Sequence, residues 1–198
     1  MRIACTLRSG GRYSPEHVQR LYGLIQQFYP QGDFICLTDM DVPGVPTEPL
    51  IQLWPGWWSI VEVLKLPGPV LYMDLAVVIQ RDLTPLVEAG LQHEFVALRD
   101  FNPHIRYMAD GLMFWTGDMS YLYRKMAEDP ERHMRECQTS RWWGSQGFIE
   151  YYVKDYKCWQ DLLPGHIASY KKSSAKAKAN STIMFFHGQP KPWDVGYA

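Results

Sequence analysis

The run Val70-Leu71-Tyr72-Met73 is apolar at every position and ends on Asp74. A strand sends successive side chains to opposite faces, so a run without a polar position has both faces covered. That suits a central strand of an α/β sheet with helices packed on each side. The same run delivers a carboxylate to its carboxyl end, where open α/β sheets bind their ligands.

The flanking sequence supports this architecture. Arg2–Leu7 is a short β-type run that ends in the glycine-containing loop Arg8-Ser9-Gly10-Gly11-Arg12-Tyr13. Ser14 and Pro15 then have the chemistry of a helix cap and a first helical residue, and His17 stands where a capping box places Glu. Val18, Leu21, Leu24, Ile25 and Phe28 follow at helical spacing, and Asp33–Leu37 is a second strand closing at Thr38-Asp39. This is a β-α-β unit, for which a parallel pair is expected. Downstream, the patterning predicts a loop over 41–50, a helix over Trp57–Leu66 and a strand over Val77–Ile79. It then predicts a helix over Thr84–Ala89, strands over Glu94–Leu98 and Gly111–Trp115, helices over Met119–Ala127 and Gln146–Val153, and a strand over Ser181–Phe186. The fold class is α/β: a single domain over residues 1–198 with a mixed central sheet flanked by helices.

Composition narrows the function. A net charge of -1 over 198 residues excludes a generally basic face for nucleic acid, so any such contact needs a local patch. Cys5, Cys36, Cys137 and Cys158 form no CxxC pair, which argues against a zinc knuckle or a thioredoxin-like motif. Cys5 and Cys36 read as buried small hydrophobes, without a disulfide framework. No signal-like segment precedes the first strand, and no apolar stretch reaches the roughly 18 residues that span a membrane. The expectation is a cytoplasmic protein. The pairs Trp57-Trp58, Trp142-Trp143 and Tyr151-Tyr152 fill the core or act as stacking platforms for sugars or bases.

Candidate chemistry gathers at strand ends. A carboxylate such as Asp74 suits a hard divalent cation that neutralises a diphosphate, although a strand-end Asp caps a turn at least as often. His187 ends the apolar run Phe185-Phe186; Gly188 permits close backbone approach, and Lys191 adds positive charge between Pro190 and Pro192. The imidazole suits Mn²⁺ or a similar ion. Four lysines fall between Lys171 and Lys178, in a segment that reads as a solvated, mobile loop or as one that closes over phosphate.

Together these strings resemble the GT-A fold glycosyltransferases, specifically the class of glycogenin and the lipopolysaccharide galactosyltransferases, in its small bacterial or phage form. The resemblance rests on Val70–Ile79 with Arg81–Leu86, on Phe34–Asp39 and on Trp57-Trp58-Ser59. It extends through Asp110–Trp115, Trp143-Gly144-Ser145-Gln146, Ser169-Tyr170-Lys171 and Phe186–Trp193. It implies transfer of a sugar from a nucleotide-sugar donor, a UDP-hexose, to an acceptor hydroxyl with retention. The acceptor is left open among a glycan, a protein and a modified nucleobase. The resemblance assigns Thr6, Leu7, Arg8, Tyr13, Asp39, Trp58, Asp74, Lys171, Gly188 and Lys191 to the nucleotide and diphosphate. Tyr13 is a candidate to stack on the base. Asp110 and Gln146 go to the donor sugar and acceptor as catalytic candidates, and Asp74 with His187 to Mn²⁺ or Mg²⁺.

Three positions depart from the family pattern. Ala76 replaces the second carboxylate of the metal motif, Ser145 replaces an Asp, and Ile60 stands where a basic residue is expected. Asp110 also replaces the usual Asn. These losses leave a nucleotide-sugar or glycan binding protein without turnover as the alternative. They also raise the expectation that lysines of the 171–178 run take over the charge of a metal.

Overall fold

The computed structural model describes residues 1–102, 104–105 and 108–197. The chain runs β1 (Arg2–Leu7), α1 (Pro15–Phe28), β2 (Asp33–Thr38), β3 (Thr47–Pro49), a 3₁₀ turn (Gly56–Ser59), α2 (Ile60–Val63), β4 (Val70–Met73) and β5 (Val77–Ile79). It continues through α3 (Thr84–Gly90), β6 (Phe95–Arg99), β7 (Met108–Trp115), α4 (Ser120–Glu128), α5 (Pro130–Glu136) and α6 (Gly144–Tyr152). Next come β8 (Lys157–Cys158), α7 (Trp159–Leu162), β9 (Ile167–Ser169), α8 (Ala175–Asn180), β10 (Ile183–Phe185) and a 3₁₀ turn at Pro192–Val195.

Seven strands form the central sheet in the order β3-β2-β1-β4-β7-β6-β8. β1 pairs in parallel with β2 and β4, whereas β7 runs antiparallel to both β4 and β6. The chain thus leaves β1 toward β2 on one side and returns to β4 on the other. This opens a crevice beyond the carboxyl ends of β1 and β4, the place where such sheets take ligands.

The apolar runs are explained by their two covered faces. Cys5, Leu71 and Met73 join Val18, Leu21 and Ile25 of α1 in one core. The alternate residues Ala4, Val70 and Tyr72 join Val61 and Val63 of α2 and Phe148 and Ile149 of α6 in the other. At the start of α1 the backbone N–H of Ser14 donates to His17 Nδ1 at 2.9 Å, so the imidazole serves where Glu was expected.

Several expectations need correction. The 41–50 loop contains β3, which pairs with β2 in parallel at the sheet edge. The helix expected over Trp57–Leu66 is a 3₁₀ turn followed by the single turn of α2. β5 and β10 are strands as expected, and they form with β9 a second, three-stranded sheet in the order β5-β10-β9, a sheet the patterning did not distinguish. The lysine-rich segment is not a loop throughout: α8 occupies Ala175–Asn180, and Ser174 Oγ accepts from Ala177 N. The two sheets meet where the Phe185 ring lies against Gly111. A β-carbon on Gly111 would fall 2.1 Å from Phe185 Cζ, so only glycine allows this approach.

Candidate functional site

Asp74 leaves β4 in a tight turn. One of its carboxylate oxygens accepts from Ala76 N at 2.9 Å. Arg20 of α1 holds the far side of the turn by donating to the carbonyls of Leu75 and Val77, at 2.8 and 2.9 Å. Ala76 itself is buried in a small apolar cluster with Val78, Met184 and Phe186, against which Tyr13 and Tyr170 pack.

Two adjoining cavities open at this strand end and share Asp74, Gly188, Lys191, Trp57 and Trp143. The larger, about 560 Å³, is lined also by Thr6, Arg8, Arg12, Tyr13, Ile60 and Tyr72. The smaller, about 300 Å³, adds Asp100, Asp110, Ser145, Gln146 and His187. The β1 and β4 ends therefore serve the first cavity, and β7, α6 and the segment after β10 serve the second.

Lys191 joins the two. It is only 6% exposed, yet it lines both cavities. Nζ donates to the Tyr13 hydroxyl at 3.1 Å and to the Phe186 carbonyl at 3.4 Å. Asp194 Oδ2 accepts from Lys191 N at 2.7 Å and fixes the backbone beneath it. Burial lowers the pKa of the ammonium, Asp74 opposes that, and Arg12 and Lys171 add to it. Burial, and then the Asp74 carboxylate, raise the pKa of the Tyr13 phenol far above its ordinary value, so it stays protonated.

The second cavity holds a buried carboxylate. Burial pushes the Asp110 pKa up to about 6, against a hydrogen bond from Ser145 that lowers it, and Asp74 adds a further upward push. His187 Nε2 lies 2.8 Å from Ser169 Oγ, and its ring stacks on Phe101 with centroids 5.4 Å apart. Burial first, then Lys171, lower the His187 pKa and favour the neutral ring.

Most of the residues singled out from sequence converge here, and some do not. Thr6, Arg8, Tyr13, Asp74, Asp110, Gln146, His187, Gly188 and Lys191 line the cavities. Asp39 lies behind them; its carboxylate accepts from Ser9 N at 2.8 Å and pairs with Arg8. Burial works against its ionisation, but the Ser9 hydroxyl and amide and the Arg8 charge hold its pKa below the usual value. Lys171 places Nζ 3.1 Å from where a Gly188 β-carbon would be, beside the cavities rather than in their walls. The Leu7 side chain is buried in the core. Trp58 is also a core residue, edge-on to Phe148, and it is the neighbouring Trp57 that lines both cavities. Sequence reasoning missed Asp100, Arg12, Tyr72 and Trp143 as wall residues. Asp100 had a weaker form of the Asp74 signal, a carboxylate at a strand end but separated from the apolar run by Arg99.

The donor set does not fit a resident divalent cation. Among the described residues, no three His, Cys, Asp or Glu side chains are arranged to hold a metal ion. Mg²⁺ demands near-octahedral oxygen coordination, and Mn²⁺ favours the same hard donors. Here one Asp74 oxygen is engaged by Ala76 N, His187 Nε2 faces the Ser169 hydroxyl, and the residue two positions after Asp74 is alanine.

Neither a family model nor a curated protein sequence matches the chain. Solved structures do. The galactosyltransferase LgtC, in complex with donor and acceptor sugar analogs, superposes with a TM-score of 0.65 at 11% identity, over 99% of this chain and 90% of that one. The apo form of the glycosyltransferase GlyE of Streptococcus pneumoniae TIGR4 gives 0.67 at 12% identity, over 100% of this chain and 57% of that one. A glycosyltransferase involved in glycosylation of the major capsid of PBCV-1 gives 0.61 at 10% identity, over 96% and 93%. At this identity the likeness establishes the fold: the chain has the mixed α/β architecture of the GT-A glycosyltransferases. Among the described residues no helix is long and apolar enough to cross a membrane.

Proposed function

We propose that this protein is a nucleotide-sugar-dependent glycosyltransferase that moves a hexose from a UDP-linked donor to an acceptor hydroxyl. One observation carries the reading: two cavities at the switch point of a GT-A sheet share Asp74, Gly188 and Lys191 at their junction. A nucleoside diphosphate sugar has the same layout, with a base and ribose, a central diphosphate and a terminal hexose. The larger cavity, with Thr6, Tyr13 and Tyr72, takes the nucleoside, and an aromatic face there suits a base. Gly188, Lys191 and Arg12 meet the diphosphate. The smaller cavity offers Asp110 and Gln146 to the sugar hydroxyls.

In the transfer step the acceptor oxygen bonds to the anomeric carbon. The bond from that carbon to the diphosphate breaks, and its electron pair stays on the phosphate oxygen. The acceptor proton passes to the same oxygen, which places acceptor and leaving group on one face and gives retention. Asp110 orients the sugar. Trp57 and Trp143, about half exposed at 54% and 48%, frame the opening through which the acceptor enters.

The direct test is incubation with UDP-glucose, UDP-galactose and related donors, followed by assay of released UDP. Release is expected with at least one donor and should rise when an acceptor is added. Calorimetric UDP binding with no release from any donor would instead leave a binding protein.

A further inference from the structure

We propose that the Lys191 ammonium is the fixed cation of the diphosphate subsite, and that donor binding and departure of the nucleoside diphosphate need no divalent cation. The inference rests on the nucleotide-sugar reading and specifies its charge chemistry.

The amine is built in rather than attached to the surface. Lys191 is buried, its backbone is tied to Asp194, and two of its three N–H groups meet the Tyr13 hydroxyl and the Phe186 carbonyl. An ammonium has three donors, and the third has no protein partner among the described residues. Lys191 lines both cavities where they meet, and Nζ is held against Tyr13, which lines the larger one, so the ammonium sits beside the space assigned to the diphosphate. Arg12 lines the larger cavity and Lys171 lies against Gly188, so three cations surround the junction and Asp74 is the carboxylate shared by both cavities.

The place of a second metal-binding carboxylate is closed. Ala76 is 1% exposed and packed with Val78, Met184 and Phe186. The lysines of the 171–178 run do not line either cavity, and Lys178 instead lies 4.8 Å over the Tyr170 ring. Charge compensation thus falls first to Lys191, with Lys171 the one member of that run beside the junction. When the anomeric carbon–oxygen bond breaks and its electron pair moves to the phosphate oxygen, Lys191 donates a hydrogen bond to that oxygen and keeps its proton. A donor already oriented in a dry site does this without reorganisation.

The test is calorimetric titration of UDP into the full chain, once in EDTA and once in Mn²⁺. The two dissociation constants should agree within about threefold, a difference well under 1.4 kcal/mol. Lys191→Met should weaken UDP binding by about a hundredfold in both buffers, the scale of losing one preorganised donor. Lys191→Arg should recover part of it, and Lys176→Met, on the surface of α8, should bind as the parent does. Electron paramagnetic resonance of the Mn²⁺ sample should show only free ion. Binding that appears only with Mn²⁺ overturns the inference and leaves the nucleotide reading standing; so does a folded Lys191→Met that binds like the parent. If Lys191→Met does not fold, the comparison of EDTA with Mn²⁺ on the parent decides alone. Absence of UDP binding in both buffers overturns the nucleotide reading, and the inference with it.

Discussion

The Ser145 hydroxyl donates to the Asp110 carboxylate, and both side chains are buried in the wall of the smaller cavity. That pairing relates two of the sequence departures. The carboxylate missing at position 145 is matched by one gained at position 110, with Ser145 small enough to sit beside it and able to donate to it. Burial outweighs the hydrogen bond, and the Asp110 pKa lies at about 6 where 3.8 is ordinary.

The sign of the pH dependence follows. Between about pH 4 and pH 6 the native state keeps a proton on Asp110 that the unfolded chain has lost, so stability falls as pH rises through this window. Asp110→Asn removes that loss. The variant should be more stable than the parent above pH 6 by on the order of 3 kcal/mol, with the gap closing below about pH 4. Urea unfolding of both proteins at pH 4, 5 and 7 measures it; a gap that does not change with pH would sink the assignment. Above pH 6 the same variant should lose sugar transfer, trading function for stability.

Neighbouring tryptophans should separate cleanly. Trp58 is 6% exposed and packs on Phe148, so Trp58→Ala should cost about 3–5 kcal/mol of stability. Trp57 is 54% exposed and lines both cavities, so Trp57→Ala should leave stability within about 0.5 kcal/mol while weakening UDP-sugar or acceptor binding. Chemical denaturation and calorimetry on the two variants check the pair. Equal losses of stability would show that Trp57 is not free at the rim.

Gly111 carries the contact between the two sheets. Gly111→Ala puts a methyl group into the Phe185 ring and should destabilise by about 1–3 kcal/mol, the range for overpacking. Phe185→Leu in the same chain should return part of that loss, giving a coupling energy of at least about 0.5 kcal/mol in a double-mutant cycle. Additive effects would mean that the clash is relieved elsewhere.

Glu62 holds the backbone of the segment before the first 3₁₀ turn. It is fully buried, its carboxylate accepts from Ile51 N at 2.7 Å and Gln52 N at 3.0 Å, and Lys65 pairs with it at 2.9 Å. The held segment leads into Leu53, whose φ of 53° is a costly left-handed conformation for a leucine. Glu62→Ala takes the acceptor from both amides and should cost about 1–3 kcal/mol. Hydrogen exchange at Ile51 and Gln52 should accelerate well before the rest of the domain opens. Unchanged protection there would show that the segment is held by other contacts.

By itself the sequence determined the strand–helix–strand start, the central position of Val70–Met73 and the standing of Asp74 and His187 as polar residues at strand ends. Each of these is written in local periodicity or in a polar residue directly after an apolar run, and both signals act over a few neighbouring residues. That Asp74 and His187 line one cavity with Gly188 and Lys191 is a tertiary fact. Only the tertiary structure decided that β5, β9 and β10 make a sheet of their own, because strand partners far apart in sequence leave no local mark. It also chose between Trp57 and Trp58, identical residues that a tight 3₁₀ turn sends to opposite environments. And it put Lys191, not the lysines of the 171–178 run, in the cavity walls. In sequence the run is the stronger cluster, yet α8 carries much of it away from the cavity walls, and the single buried lysine is held at the junction by Tyr13 from the far end of the chain.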